Sequence, residues 1–522
     1  MAGRGTLRSH SKLVDEDTVE ITRTSRNYAK STSILTSIRK RVTIRFVQRS
    51  VFIDSPSLVV LCWFTPTINT DTHGFTNIYP KLKKFVLDKN ADVGEPLFLT
   101  PLIESGKIDE ARKEAIVEHK EIGAVSSYAG YFTVNKEYNS NLFFWFFPAQ
   151  HNPKDAPVVL WLQGGPGATS LFGLFMENGP FFVTSNITLA PRKYSWSISH
   201  NLIYIDNPVG TGYSFTKNDK GYASNETQVG RDIHNVLVQF FKLFPELQNN
   251  DFFVTGESYG GKYVPAVSHA IKDYNIKAET KINLKGLAIG NGFTDPEHQL
   301  LYGDYLYQLG IIDLNGKNLF HQYEKKAHDL IEQKKYVDAF ELFNTLLSGD
   351  YDSPSLFTNI TGFNYYFNYL RTEDTNESQW MSEWVQRDDV RRAIHVGNCS
   401  FNLETKNVED HLKGDIMQSL AILVSDLVQH YRVLIYNGQL DIIVAYPLTV
   451  NYLQNLKWPG AKKYKTVDRK QWWVQDELAG YTKSVDNLTE VLVRNAGHMV
   501  PYDQPRWALD LITRFTHNKK FK

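Results

Sequence analysis

The chain has 522 residues, 42% hydrophobic and 13% aromatic, enough for one large α/β domain with an insertion or for two or three domains. Lysine plus arginine and aspartate plus glutamate number 57 each, so no global field draws polyanions and nucleic acid is not an expected partner. Two widely separated cysteines, Cys62 and Cys399, exclude a disulfide framework and a paired-cysteine metal site, and no metal or cofactor is expected.

The first fifty residues hold eleven Lys/Arg against four Asp/Glu, with many Ser and Thr and little apolar periodicity. Residues 1–91 are therefore expected to be a basic, disordered extension. Inside it, the apolar run 58–64 is too short for a membrane span, which needs about 20 residues. It sits at the lower limit for a signal-peptide core.

From about residue 120 the pattern changes. YAGYFTV (128–134) and NLFFWFFPA (141–149), split by a polar turn, read as a hairpin. Short apolar runs follow, each ending in glycine or a polar turn: PVVLWL before QGGPG, NLIYID before NPVGTG, DFFVT before GESYGG and LKGLAIG before NGF. YRVLIYNG and EVLVRNAG repeat the pattern far downstream. Between some of them lie stretches such as 229–247, with apolar residues spaced by three and four, the signature of a helix. Alternating strands and helices predict a doubly wound, mostly parallel sheet with its chemistry at the carboxyl ends of the strands. Residues 298–424 break that rhythm with polar helical stretches and tyrosine-rich loops. They are expected to be an insertion between core segments 92–297 and 425–522.

The stretch TGESYGGKYVP (255–265) admits two readings. Gly256, Gly261 and Lys262 fit a phosphate loop, but Tyr263 stands where a small hydroxyl must hold magnesium. Gly256, Ser258 and Gly260 instead fit Gly-x-Ser-x-Gly, a nucleophile on a sharp strand-to-helix turn between small neighbours. Its partners follow in post-strand turns, Asp441 after YRVLIYNG and His498 after EVLVRNAG, in the order of α/β-hydrolases. Histidine takes the serine proton and aspartate fixes its tautomer. Gly165 in QGGPG and the N–H of Tyr259 are the expected oxyanion donors.

Together VVLWLQGGPGATS, MENGP, LIYIDNPVGTGYSF, TGESYGGKYVP, IGNG, IYNGQLD and AGHMVPYDQP resemble the serine carboxypeptidase family, most closely its vitellogenic-like members. The resemblance covers roughly residues 92–517. It implies an α/β-hydrolase core with a helical cap, and removal of single residues from peptide C-termini through an acyl-enzyme at acid pH. It also implies that Trp161, Gln163, Glu177 and Glu257 bind the substrate's terminal carboxylate. Like charges held together cannot all stay ionised, so one of these carboxyls should carry a proton. On this reading Glu257 carries the loss of affinity as pH rises from about 5 to 7. Where the family usually has NGGPGCSS, this chain has QGGPGATS, with Gln163, Ala168 and Thr169 as the departures.

Six Asn-x-Ser/Thr sequons, at Asn186, Asn225, Asn359, Asn376, Asn398 and Asn487, are glycosylation candidates. The resulting expectation is a serine-type carboxypeptidase of secretions or of lysosomal or endosomal compartments, acting on peptide or protein C-termini. An acyltransferase on the same scaffold differs only in what resolves the acyl-enzyme. A non-catalytic binding or protective protein is the other alternative, against which an intact triad counts.

Overall fold

The structure, a computed structural model, describes residues 92–123, 125–348, 354–402 and 406–521. The expected extension 1–91, with its apolar run 58–64, lies outside the described residues.

Ten strands form one sheet: β1 (Tyr128–Asn135), β2 (Ser140–Phe147), β3 (Val158–Leu162), β4 (Asn201–Ile205), β5 (Phe252–Glu257), β6 (Leu284–Gly290), β7 (Arg432–Gly438), β8 (Lys470–Val474), β9 (Glu477–Val485) and β10 (Leu488–Val493). Their order is β1-β2-β4-β3-β5-β6-β7-β10-β9-β8. Pairing is parallel from β4 through β10 and antiparallel at both edges, where β1 and β2 make the expected hairpin.

The apolar runs are continuous because both faces of the sheet are covered. On β3, Val158, Leu160 and Leu162 enter one core while Val159 and Trp161 enter the other. On β7, Val433 and Ile435 face the first core and Leu434 and Tyr436 the second, the period of two that a strand imposes. Helices α1 (Glu226–Leu243) and α2 (Gly260–Tyr274) lie on the first face. Asn225 caps α1 by accepting from the N–H of Gln228, and Val229, Ile233, Val236, Leu237 and Phe240 form its buried stripe. Gly230 allows the two helices to touch, because a Cβ there would lie 2.7 Å from the Ala266 carbonyl oxygen.

Strands β6 and β7 are neighbours in the sheet, yet residues 291–431 separate them in sequence. Among its described residues that stretch gives the sheet no strand and is largely helical, including α3 (Lys406–Ile416). No helix among the described residues is long and apolar enough to cross a membrane.

Candidate active site

Ser258 follows β5 directly and has φ +60°, a left-handed conformation that costs a non-glycine residue about 1 kcal/mol or more. Hydrogen bonds hold it there. Its N–H donates to the Gly290 carbonyl (3.0 Å), and its carbonyl accepts from the N–H groups of Gly261 (2.8 Å) and Phe293 (2.9 Å). The neighbouring glycines supply the room that the motif predicted. A Cβ on Gly256 would lie 2.6 Å from the Leu162 carbonyl oxygen, and one on Gly260 2.9 Å from the same atom.

The turns after β7 and β10 bring up Asp441 and His498, both buried. His498 Nδ1 lies 2.8 Å from Asp441 Oδ2. That oxygen also accepts from Asn291 Nδ2 (2.7 Å), while Oδ1 accepts from the N–H of Ile443 (3.0 Å). The ring of His498 stacks on Phe367 at 4.9 Å, and the backbone N–H of His498 donates to the Phe367 carbonyl (2.6 Å). His498 Nε2 is buried without a hydrogen-bond partner, which leaves open the nitrogen that a general base uses. A Cβ on Gly438 would fall 1.8 Å from the Gly497 carbonyl oxygen, so the two turns meet only because that residue is glycine.

The loop after β3 closes over the serine. Gly164 packs so tightly that a Cβ would lie 2.6 Å from the Tyr259 nitrogen and 2.7 Å from Ser258 Cβ. Gly165, next in the chain, adopts φ +112°, which favours glycine. Trp161 Nε1 donates to Gln163 Oε1 (2.8 Å), and Gln163 Nε2 donates to Glu257 Oε1 (3.2 Å). Glu177 joins this buried cluster from the π-helical segment Gly173–Asn178, its carboxyl facing the Glu257 carboxyl and the Gln163 carboxamide. Gly173 makes space for it, since a Cβ there would strike the Trp161 indole nitrogen.

Burial pushes the Glu177 carboxyl up to about 7, against the lowering effect of the neighbouring Glu257 and Gln163 side chains and of His498 and Arg192 nearby. Burial, then the neighbouring Glu177, with a further contribution from Asp441, holds Glu257 well above the usual carboxylate range. All four residues expected around a substrate carboxylate are thus in one buried cluster. Gln163, one methylene longer than asparagine, reaches both its indole donor and Glu257.

The profile described as serine carboxypeptidase matches residues 118–518. The chain belongs to the serine carboxypeptidase family. This carboxypeptidase is 71% identical over 450 residues to the venom serine carboxypeptidase of Apis mellifera, covering 86% of this chain and 96% of that one. It is 48% identical over 465 residues to the vitellogenic carboxypeptidase of Aedes aegypti, covering 88% and 98%. Among solved structures it is similar to Kex1(Δ)p, a prohormone-processing carboxypeptidase from Saccharomyces cerevisiae, with a TM-score of 0.68 at 24% identity, covering 78% of this chain and 96% of that one. That likeness shows the α/β-hydrolase fold.

Several features of the carboxypeptidase were out of reach of motif reading. Asn291, at φ +42° after β6, braces Asp441 and accepts from the N–H of Gly438 (3.1 Å). IGNG signals a turn but not the direction of its asparagine. Lys262 has no phosphate to bind. Fully buried, its Nζ donates to the carbonyls of Asp415 (2.6 Å), Ile416 (2.9 Å) and Gln418 (2.6 Å) at the end of α3. Thr169, the departure from serine, still caps the following turn and reaches Asp206 Oδ1 (2.5 Å). A cleft lined by Phe172, Met176, Phe367, Arg371, Met499 and Tyr502, among others, abuts His498 and Glu177. Five sequon asparagines are exposed; Asn487 is half-buried, its amide donating to the Val428 carbonyl (3.0 Å). Cys399 is half-buried and not disulfide-bonded, and Cys62 lies outside the described residues.

Proposed function

We propose that this serine carboxypeptidase uses Ser258, Asp441 and His498 as its triad, with the N–H groups of Gly165 and Tyr259 as oxyanion donors. Ser258 Oγ attacks the last peptide carbonyl as its proton passes to His498 Nε2, and Asp441 stabilises the imidazolium at Nδ1. The tetrahedral oxyanion points at the two N–H groups. His498 then gives its proton to the leaving amine, the C–N bond breaks, and an ester to Ser258 remains. Water, deprotonated by His498, hydrolyses that ester.

Exopeptidase specificity is assigned to Trp161, Gln163, Glu177 and Glu257. The observation that carries it is the burial of two neighbouring carboxyls, Glu257 held by the Gln163 amide and lying one residue from the nucleophile. With both protons in place, this cluster donates hydrogen bonds to a terminal carboxylate. With them lost, it repels one. That chemistry favours acid pH and supports a secreted, lysosomal or endosomal setting. The name of the honeybee relative, a venom protein, points the same way. Residues 298–424 act as the cap between core segments 92–297 and 425–522. Carbohydrate is assigned to Asn186, Asn225, Asn359, Asn376 and Asn398, whereas the bonded, half-buried amide of Asn487 argues against that site.

The test is incubation with N-blocked dipeptides at about pH 5. Free C-terminal amino acid should be released, and Ser258→Ala should lower the rate by at least about 10³-fold. Equal release by the variant, or loss of activity on adding a chelator, defeats the assignment.

A further inference from the structure

Arg192 comes directly after the ribbon of Phe181–Val183 and Leu189–Pro191 and returns to the segment that carries Glu177. Its N–H donates to the Pro180 carbonyl (2.7 Å) and its Nε to the Gly179 carbonyl (3.0 Å). Nη2 donates to the carbonyls of Phe175 (2.5 Å) and Phe181 (3.2 Å). Phe175 and Gly179 lie two residues on either side of Glu177, so one guanidinium spans the turn that aims that carboxyl. The segment is π-helical. Such turns leave backbone carbonyls outside the regular ladder, and π-bulges frequently occur at functional sites.

Every donor described above goes to a main-chain carbonyl, so the positive charge reaches the Glu177 carboxyl through space. The charges around the two acids are lopsided. Glu177 has Arg192 on one side and His498 on another, and both favour its ionised form. Glu257 faces Glu177 and Asp441, and both oppose ionisation. Tyr204 on β4 and Tyr436 on β7 also face the pair, but burial keeps both phenols neutral. Glu377 and Tyr502, from Glu377–Val385 and Val500–Asp503, are the other groups acting on Arg192. Asp503, on that last short helix, accepts from the Gly497 N–H and Asn368 and lies 3.7 Å from Arg371.

We propose that Arg192 is a positioning residue of the carboxylate site: its charge makes Glu177 the member of the pair that ionises first and sets the pH above which a peptide's C-terminal carboxylate is no longer held. This rests on the carboxylate-site reading above and deepens it. Burial raises both carboxyls, Glu177 up to about 7, and only Glu177 has the arginine wrapped around its own turn. On this proposal the loss of affinity with pH follows Glu177 rather than Glu257.

The test is the KM of an N-blocked dipeptide acid from pH 4.5 to 8.5, with its C-terminal amide measured alongside as a competitive ligand. In the wild type, the KM of the acid should rise with a midpoint near 7, while the amide's affinity should stay flat. Arg192→Met should move that midpoint upward by about half to one pH unit, with kcat at pH 5 within about twofold. Arg192→Lys, which keeps the charge, should leave the midpoint within about 0.2 unit of wild type. Glu177→Gln should abolish the rise, whereas Glu257→Gln should retain it.

An unmoved midpoint in Arg192→Met, with KM raised equally at every pH, marks a purely structural arginine and overturns the proposal. A flat profile in Glu257→Gln but not in Glu177→Gln overturns it too, and that comparison decides the matter if Arg192→Met does not fold. An amide affinity that falls with pH just as the acid's does would instead defeat the carboxylate site itself.

Discussion

Gly164 shows how little space the chemistry tolerates. Its backbone is not left-handed, so alanine is conformationally acceptable there, but the new Cβ would sit 2.6 Å from the Tyr259 nitrogen and 2.8 Å from the Glu257 carbonyl oxygen. Neither atom belongs to a flexible side chain, so the methyl must displace the backbone around Ser258 and Tyr259, the proposed nucleophile and oxyanion donor. Gly164→Ala should therefore lower kcat by about 10²–10³-fold, the cost of one misplaced oxyanion donor, and change KM much less. Steady-state kinetics beside a thermal melt checks this. A kcat within threefold of wild type would show that the loop relaxes, and that Gly165 and Tyr259 are not set by this contact. Gly260 is a milder case. Alanine would bring its Cβ within 2.9 Å of a single atom, the Leu162 carbonyl oxygen, so a small strand shift accommodates it.

At the scale of elements, the nucleophile helix is tied to the long insertion by one side chain. Lys262 on α2 satisfies three carbonyls at the end of α3, with Asp415 Oδ2 a further 3.9 Å from its Nζ. A helix end buried in this way needs donors for its last carbonyls. Lys262→Met keeps the stem but strands those acceptors and an anion, a loss of about 3 kcal/mol. The unfolding midpoint should fall by about 3 °C, while the KM of a short substrate changes little. An unchanged melt would show that water or a repacked α3 takes the place of the ammonium. This contact also explains what the sequence could disclose. The strands were legible because burial on both faces writes uninterrupted apolar runs. Ser258, Asp441 and His498 were legible because each follows such a run within a few residues. Lys262 meets acceptors 153 to 156 residues away, and no local pattern encodes that distance. Arg192 was hidden for a related reason: an arginine among polar turn residues looks solvated until the turn folds back over it. Asn487 carries an ordinary sequon, and nothing near it in sequence signals that its amide donates to the Val428 carbonyl.

For the molecule as a whole, the buried acids tie stability to pH. Burial pushes Glu226 up to about 8, Glu177 to about 7 and Asp206 to about 6. In the unfolded chain such carboxyls titrate near 4. Between the two values the native state binds more protons, so ΔG of unfolding falls as pH rises. The stabilisation is complete below about pH 4 and is lost as pH passes each folded value. His200 works in the opposite sense: burial lowers it to about 4, so its contribution grows as pH climbs toward about 6.5. Above that pH the His200 contribution is complete, while the raised carboxyls go on losing protons. Glu226 alone should remove about 2 kcal/mol between pH 6.5 and 8, at about 1.4 kcal/mol per pH unit. Thermal melts should therefore drop by several degrees over that interval, and Glu226→Gln should recover part of the drop. A midpoint that rises from pH 6.5 to 8 would mean these acids are hydrated or paired in solution. If the drop is found, the fold and its substrate site lose protons over the same pH range. The carboxypeptidase would then be held to acid surroundings by its architecture as well as by its chemistry.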